Sequence, residues 1–350
     1  MTQLELLLPF AMPPAEMARD LLRELNMPAL ATLLARAGTP ERQVSDGFSR
    51  ALPHEYRLAR QFGAPVQPDA NTSPALAIKA MQTQTLAPEA GYWFILQPVH
   101  LHIARDHLVL TDPRQLQLSE ADARALFAIA HPLFEESGKT LHYGDAQTWF
   151  LRADDWAALQ TSTPDAACGH NIDIWMPKGS NDRDWRRLQN EIQMHWHAHA
   201  INEQRELSGL KPVNSIWLWG GASSNAAATQ TKIEETFTFK NMRKPFAAQA
   251  GKQIEITSST DVINAKPQQG LLVLDSLIEP ALAGDWLEWL ARFQAMDTAW
   301  FAPLLNALRH GQLDKLMITI SHNTACSSFP VDRSSLRKFW CKPSLTRLAS

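Results

Sequence analysis

Between residues 210 and 320, short apolar runs alternate with helical segments, and this alternation constrains the fold more than any other feature of the chain. The runs that read as buried strands are Ser215 to Trp219, Ile254 to Ile256, Leu271 to Leu274 and Leu316 to Ile320. A helical region rich in Trp and Leu runs from Asp285 to Arg309 and ends before Gly311. Strands that alternate with helices predict an α/β fold with a doubly wound, mostly parallel sheet.

The start of the chain supplies a further strand to this sheet. Leu4 to Leu8 is an apolar run that ends at Pro9, as expected for a buried strand. Apolar residues at helical spacing from Leu30 to Ala37 then predict a helix that ends at Gly38. Residues 39 to 90 are rich in Pro, Gly, Ser and Asn, and we expect mainly loop with short helices there.

Strand and helix signals follow in the middle of the chain. The strand-like pieces Trp93 to Leu96 and His107 to Leu110 predict a hairpin near the turn signal Arg105-Asp106. Ser119, with Asp122 three residues later, resembles a capping box and predicts the start of a helix.

Helix and strand signals alternate over residues 113 to 177, and we interpret this segment as an inserted α+β cap. Residues 1 to 112 and 178 to 350 then form the α/β core. Within the second core segment, apolar spacing predicts one helix from Asp184 to Leu207, stopped at Gly209.

Composition excludes several classes of protein. The apolar share of 45% and the charged share of 20% are those of a globular chain. A net charge of −3 gives no basic surface for a polyanion, so we expect no nucleic-acid partner. Three cysteines cannot form a complete disulfide set, and neither a signal peptide nor a membrane-spanning run is recognisable. These features predict a cytoplasmic protein.

Two clusters of residues could bind a ligand, and each of them also has a simpler structural interpretation. His195 and His199 stand four residues apart on the predicted helix, with Glu191 a turn earlier, which permits zinc binding but is more often structural. Gly220 to Ser224 follows a strand and could direct N–H groups at an anion, although glycine-rich strand exits are common.

Asp275 and Glu279 follow the strand Leu271 to Leu274, at the end of the sheet where ligands of α/β proteins bind. Paired carboxylates there suit a divalent cation, but capping of the next helix is the more common role for such residues.

Several segments, in order along the chain, resemble the cofactor-independent phosphoglycerate mutases of the alkaline phosphatase superfamily. The segments are Asn26 to Leu30, Leu33 to Gly38, His199 to Asn202 with Arg205 and Gly209, Pro212 to Gly220, Ala283 to Asp285 and Ser321 to Cys326. The segment Leu52-Pro53-His54-Glu55 and the stretch from Pro212 to Gly221 are also similar to the RpfE-type regulatory proteins, a bacterial group related to these mutases. The resemblance implies an alkaline-phosphatase-like α/β core with a small cap.

The chain departs from the mutases at the positions that carry their chemistry. The mutases use carboxylates and histidines to hold two divalent cations, which activate a Ser nucleophile. Ile278 and Leu282 stand where the resemblance implies an Asp and a His, and Ser321 where it implies a second Asp. The first strand ends in Leu8-Pro9-Phe10 without the expected Asp, and Glu55 aligns roughly with the nucleophile.

The resemblance and its departures together imply a non-catalytic regulatory or ligand-sensing protein with neither catalytic residues nor a metal cofactor. We expect a phosphorylated small molecule or a protein as its partner, and no membrane. The residues expected to bind the ligand are His199, Asn202, Arg205, Asn214, Asp275, Glu279, Asp285 and His322.

Two alternatives stay open. One is an active phosphoglycerate mutase or phosphatase in which Asp275, Glu279, Asp285 and His322 form a rearranged site for two manganese or zinc ions. The other is a scaffold that binds partners through the exposed share of its 12 Trp residues.

Overall fold

The computed structural model describes residues 1–65, 71–225, 231, 233–239 and 251–349. The chain divides into two compact units. The first unit comprises residues 1–47, 52–62 and 230–350, and the second comprises residues 48–51 and 63–229. Among the described residues, no helix is both long enough and apolar enough to span a bilayer.

The strands of the described residues are β1 (Gln3–Leu8), β2 (Glu41–Val44), β3 (Tyr92–Val99), β4 (Leu101–Ala104), β5 (His107–Leu110), β6 (Thr140–Asp145), β7 (Thr148–Arg152), β8 (Ser215–Ser223), β9 (Glu235–Phe239), β10 (Lys252–Ile256), β11 (Gly270–Val273), β12 (Lys315–Ser321) and β13 (Ala325–Asp332). The helices are α1 (Ala18–Glu24), α2 (Pro28–Arg36), α3 (Pro53–Gln61), α4 (Ala77–Thr83), α5 (Glu120–Glu136), α6 (Pro164–Ala167), α7 (Asp182–His197), α8 (Ala200–Leu207), α9 (Ser259–Ala265), α10 (Ile278–Ala283), α11 (Trp286–Met296) and α12 (Ala302–His310).

A seven-stranded sheet with the order β10-β9-β11-β1-β12-β13-β2 forms the centre of the first unit. The strands from β10 to β12 in this order pair in parallel, whereas β13 is antiparallel to both β12 and β2. The predicted α/β class with a large, mostly parallel sheet is therefore confirmed.

Alternation along β1 fixes which side chains enter the main core. Leu4, Leu6 and Leu8 are buried in the cluster formed with α2, α11 and α12, while Leu7 belongs to a smaller cluster with Leu58 of α3. Burying one Leu side chain stabilises the fold by about 1.5–3 kcal/mol. Because a shift of one residue would turn all of these side chains to the opposite face, the two clusters together specify the register of β1.

The long helical region predicted from Asp285 to Arg309 is present, with a π-helical turn at Asp297–Phe301 between α11 and α12. Gly311 ends α12 with a φ of 72°, the left-handed conformation that glycine adopts easily. Asp297 is buried, and its carboxylate accepts hydrogen bonds from the N–H groups of Ala29 (3.1 Å) and Leu30 (2.9 Å) at the start of α2. The acid thus caps a helix that is remote in sequence.

A four-stranded antiparallel sheet with the order β6-β7-β3-β8 forms the centre of the second unit. Strand β8, which we expected in the parallel sheet, pairs with β3 here. The prediction was wrong because a fully buried apolar run has the same sequence pattern in a parallel sheet as in an antiparallel one. A hairpin does turn at Arg105-Asp106, but β5 pairs with β4 and not with the Trp93 to Leu96 segment of β3.

The second unit is an α+β structure that covers more of the chain than residues 113 to 177. An inserted cap with those boundaries is not confirmed and stays a prediction. The N-cap of α5 is as predicted, because the Ser119 hydroxyl accepts from the Asp122 N–H at 3.1 Å. The helix predicted from Asp184 to Leu207 is wrong in one respect, since α7 ends at His197 and α8 begins at Ala200.

Candidate functional site

The carboxyl end of β1 in the first unit leads into a fixed turn. Phe10 adopts a φ of 58°, which is uncommon for an aromatic residue and costs on the order of 1 kcal/mol. Two hydrogen bonds hold the turn: the Trp289 indole donates to the Phe10 carbonyl (2.8 Å), and the Met12 N–H donates to the Ser321 carbonyl (3.1 Å). The sequence Leu8-Pro9-Phe10 therefore forms an ordered apolar bend at the edge where α/β sheets place ligands.

Ser321, the last residue of β12, forms a buried pair with His54 of α3. The Ser321 Oγ lies 3.0 Å from the His54 Nδ1, and the two residues are 0% and 3% exposed. The ring of Phe10 meets the imidazole edge to face, with 6.1 Å between the ring centroids. A Ser–His contact of this length can activate a nucleophile, but burial keeps both groups away from a substrate. We call this contact the Ser321–His54 pair.

Beside this pair, His322 is half-buried. Its Nδ1 accepts a hydrogen bond from the Thr324 N–H at 3.2 Å. Burial, together with the positive charge of Arg42, lowers the pKa of the imidazole. The ring is therefore held neutral, as an acceptor within its own turn.

The three predicted carboxylates of the first unit take different positions. Asp285 is the N-cap of α11 and accepts from the Glu288 N–H at 3.1 Å. Glu279 lies in the first turn of α10, with its Oε2 3.2 Å from the Arg292 Nη1. The carbonyl of Asp275 accepts from the Ile278 N–H at 3.0 Å. In the part of the chain that the structure describes, no three His, Cys, Asp or Glu side chains form a group that could hold a metal ion.

The predicted zinc cluster of the second unit is not formed as expected. The chain leaves the helix between α7 and α8, and His199 is the N-cap of α8, with its Nδ1 3.3 Å from the Ile201 N–H. Placing His195 and His199 on one helical face was therefore wrong. The break has a cause in packing. The buried Asn202 amide donates to the Trp196 carbonyl (2.8 Å) and the Val213 carbonyl (2.9 Å), and it accepts from the Val213 N–H (2.7 Å).

The other predicted ligand-binding residues of the second unit also contact the backbone. Buried Arg205 donates from Nε to the Lys211 carbonyl at 3.0 Å, and its Nη1 lies 3.4 Å from Asp122. Asn214 exchanges two hydrogen bonds of 2.8 Å with the backbone of Leu101. These contacts tie helix, loop and strand together, and a role in ligand binding stays a prediction.

The glycine-rich strand exit continues β8 as far as Ser223. The Gly220 N–H, which an anion site would have turned toward a ligand, donates to the Ser73 Oγ at 2.8 Å. For this N–H, the segment Gly220 to Ser224 is therefore an ordinary glycine-rich strand exit and not an anion site.

Sequence reasoning missed a polar network on the sheet of the first unit. The Glu5 Oε1 accepts from the Arg57 Nε (2.8 Å) and from the Thr319 hydroxyl (2.9 Å), and the Glu5 Oε2 accepts from the Gln61 Nε2. Burial alone would lower the pKa of Arg57, but the adjacent Glu5 carboxylate outweighs it and leaves that pKa raised. We call these four residues the Glu5 network.

The Glu5 network borders a cavity of about 680 Å³. All of its lining residues belong to the first unit, and they include Gln3, Lys315 and Gly270 at the amino-terminal starts of three parallel strands. We call it the strand-start cavity. The only sequence signal for it was a carboxylate inside the apolar run of β1.

No family model matches this chain, and no curated protein matches it. Among solved structures, a cofactor-independent phosphoglycerate mutase from Thermoplasma acidophilum DSM 1728 is 12% identical with a TM-score of 0.47, over 100% of this chain and 94% of that protein. The PH0037 protein from Pyrococcus horikoshii is 12% identical with a TM-score of 0.50, over 95% of this chain and 87% of that protein. At such identity the second likeness concerns the fold alone, and that fold is a mixed α/β one with a large, mostly parallel sheet.

Proposed function

We propose that this chain is a non-catalytic, RpfE-type regulatory or ligand-sensing protein, built on a scaffold related to cofactor-independent phosphoglycerate mutases. The Ser321–His54 pair is the observation that carries the proposal. At a position where the resemblance implies a metal-binding Asp, a neutral hydroxyl is buried and is hydrogen-bonded to a histidine.

Phosphoryl transfer depends on positive charge that stabilises the transferred group, and in the mutases two cations provide it. A buried, uncharged serine hydroxyl that replaces a carboxylate holds such a cation poorly. Ile278 is 6% exposed and aliphatic, so it offers no donor to a cation. The apolar bend at Phe10 supports the same proposal, because it stands where the resemblance implies another acid.

The catalytic alternative uses Asp275, Glu279, Asp285 and His322 as a rearranged two-metal site. In that case Glu279 has to leave Arg292, and Asp285 has to leave the first turn of α11. Both movements give up hydrogen bonds, each worth about 0.5–1.5 kcal/mol, before any cation is bound. We therefore favour the non-catalytic proposal.

A metal analysis combined with an activity assay tests the proposal. The purified full chain is incubated with Mn²⁺ or Zn²⁺, and its metal content is measured after gel filtration. Turnover of 3-phosphoglycerate and of p-nitrophenyl phosphate is then followed. We expect less than one metal ion per chain and no turnover above buffer. Two bound ions with turnover that Asp285→Asn and His322→Gln abolish would establish the enzyme instead.

A further inference from the structure

The face of the sheet that carries Gln3, Glu5 and Leu7 is covered unevenly in the first unit. At its carboxyl-terminal half, Leu7 packs with Leu58 and Phe62 in a small apolar cluster. At its amino-terminal half lies the strand-start cavity. Its volume of about 680 Å³ falls within the roughly 300–1,000 Å³ of pockets that hold small molecules.

One wall of the cavity is rigid and polar. Arg57, Gln61 and Thr319 each donate a hydrogen bond to the Glu5 carboxylate. Because the Gln61 amide uses its nitrogen for this bond, its oxygen points away from Glu5. That Gln61 Oε1 is buried and has no hydrogen-bond partner among the residues described. A buried amide oxygen without a donor costs about 1–3 kcal/mol, so turning the Gln61 amide toward a ligand hydroxyl in the cavity would be stabilising.

The rest of the lining offers more groups of the same kind. Gln3, Gln43 and Gln269 also line the cavity. A primary amide presents two donors and an acceptor, which matches a hydroxyl that both donates and accepts. Four amides around one cavity therefore suit a ligand with several hydroxyl groups.

Charge sets the second requirement of the ligand. Arg60, in the last turn of α3, and Lys315, at the start of β12, both line the cavity and are exposed. Neither forms an ion pair within the described residues, whereas Arg57 is engaged by Glu5. Two further carboxylates line the cavity, but Glu41 lies 3.9 Å from Arg57, and Asp332 accepts hydrogen bonds from Ser334 and Ser335. Lys315 acts electrostatically on the adjacent Asp314 without forming an ion pair with it. Arg60 and Lys315 therefore favour an anionic group, which guanidinium and ammonium ions bind through charge-assisted hydrogen bonds.

We propose that the strand-start cavity binds a small polyhydroxylated acid, such as a sugar phosphate or a sugar acid, with its hydroxyl groups on the glutamine amides and its anionic group on Arg60 and Lys315. The inference rests on the proposed ligand-sensing function and deepens it. It places the ligand at the amino-terminal ends of the strands, away from the residues that the sequence had indicated.

Calorimetric titration of the full chain tests the inference with four probes. Glucose 6-phosphate and gluconate carry hydroxyls with a phosphate or a carboxylate, glucose carries hydroxyls alone, and inorganic phosphate carries charge alone. We expect at least one of the two acids to bind with about tenfold or higher affinity than glucose and inorganic phosphate. The acid that binds identifies the anionic group.

Two variants locate the site, and each has a matched control. Arg60→Ala and Lys315→Ala should each weaken binding of the acid about tenfold. Arg23→Ala removes an exposed arginine from the last turn of α1, and Lys252→Ala removes an exposed lysine from the first position of β10, so both should bind like the parent chain. All four positions are exposed, and we expect every variant to fold.

The inference is overturned if neither acid binds, if inorganic phosphate binds as tightly as the acids, or if Arg60→Ala and Lys315→Ala bind like their controls. In the last case an acid still binds elsewhere, and the proposed sensing function survives without this cavity. Failure of the proposed function has a different signature, namely bound metal together with phosphoester turnover.

Discussion

The two units use their polar side chains in different ways. In the second unit, Asn202, Arg205 and Asn214 direct their donors mainly to backbone carbonyls and are satisfied there. In the first unit, the Glu5 network joins side chains to one another and leaves the buried Gln61 Oε1 without a partner among the described residues. The residue types alone do not show which of these polar side chains have a structural role and which could bind a ligand. The partner of each hydrogen bond distinguishes a structural tie from a group that is available to a ligand.

The same contrast exists within the first unit. At the carboxyl ends of its strands, the Ser321–His54 pair is buried, and the Phe10 bend is apolar. At the amino-terminal starts, charged and amide side chains line open volume. Ligands of open α/β sheets usually bind at the carboxyl ends. In this chain the observations favour the opposite end.

Asn202→Ala tests the largest of the structural ties. The substitution leaves the Trp196 carbonyl and both backbone groups of Val213 without the amide that pairs with them. We expect the free energy of unfolding to fall by about 3 kcal/mol, measured by urea denaturation. Gln204→Ala, at an exposed position of the same helix, should change it by less than about 0.5 kcal/mol. If the two variants have the same free energy of unfolding, the hydrogen bonds of Asn202 do not stabilise the fold, and Asn202 is again a candidate for ligand binding.

Glu5→Ala is expected to have the next largest effect. It removes the acceptor of Arg57, Gln61 and Thr319 at a residue whose side chain is 13% exposed, and we expect a loss of about 2 kcal/mol. Glu255→Ala, at an exposed position of β10 in the same sheet, provides the control in the denaturation experiment. A double-mutant cycle with Arg57→Ala should yield a coupling energy of about 1 kcal/mol or more. If the losses of stability in the two single variants add up to that of the double variant, Glu5 and Arg57 do not stabilise each other.

Ser321→Ala should cost less, about 1 kcal/mol, because a single hydroxyl–imidazole hydrogen bond is lost. Ser327→Ala, a buried serine on β13, is the matched control for the loss of a hydroxyl. Labelling with a fluorophosphonate distinguishes a structural pair from an activated nucleophile. We expect no labelling of the parent chain, and labelling that disappears in Ser321→Ala would refute the non-catalytic proposal.

Elements with strong local patterns could be predicted from the sequence. Strand β1 and the helical region that ends at Gly311 follow from apolar spacing and terminal residues, and the Ser119 cap follows from a short motif. Strand β2 could not be predicted, because its residues Glu41 to Val44 are largely exposed and pair only through the backbone with β13. Their register is determined by a strand almost three hundred residues later in the chain.

The candidate sites were harder to predict than the fold. The break before His199 contains neither proline nor glycine, and it depends on the contacts of Asn202 with Val213 across a loop. Two of the three partners of Glu5, Arg57 and Gln61, lie on α3, in a segment that we expected to be mainly loop with short helices. Such contacts are decided by tertiary packing, which a periodic pattern in one segment does not contain.

The smallest expected effect concerns His322 and pH. Since burial and Arg42 lower the pKa of this imidazole in the folded state, the unfolded chain, with the ordinary value of about 6.5, binds the proton more readily. Stability should therefore fall as the pH decreases through about 6.5, and it should be restored at higher pH. Melting temperatures measured between pH 5.5 and 8 should fall less steeply toward acid for His322→Gln than for the parent chain. His197→Gln, at an exposed position on α7, should retain the parent slope, and equal slopes for both variants would show that the surroundings of His322 do not favour the neutral ring.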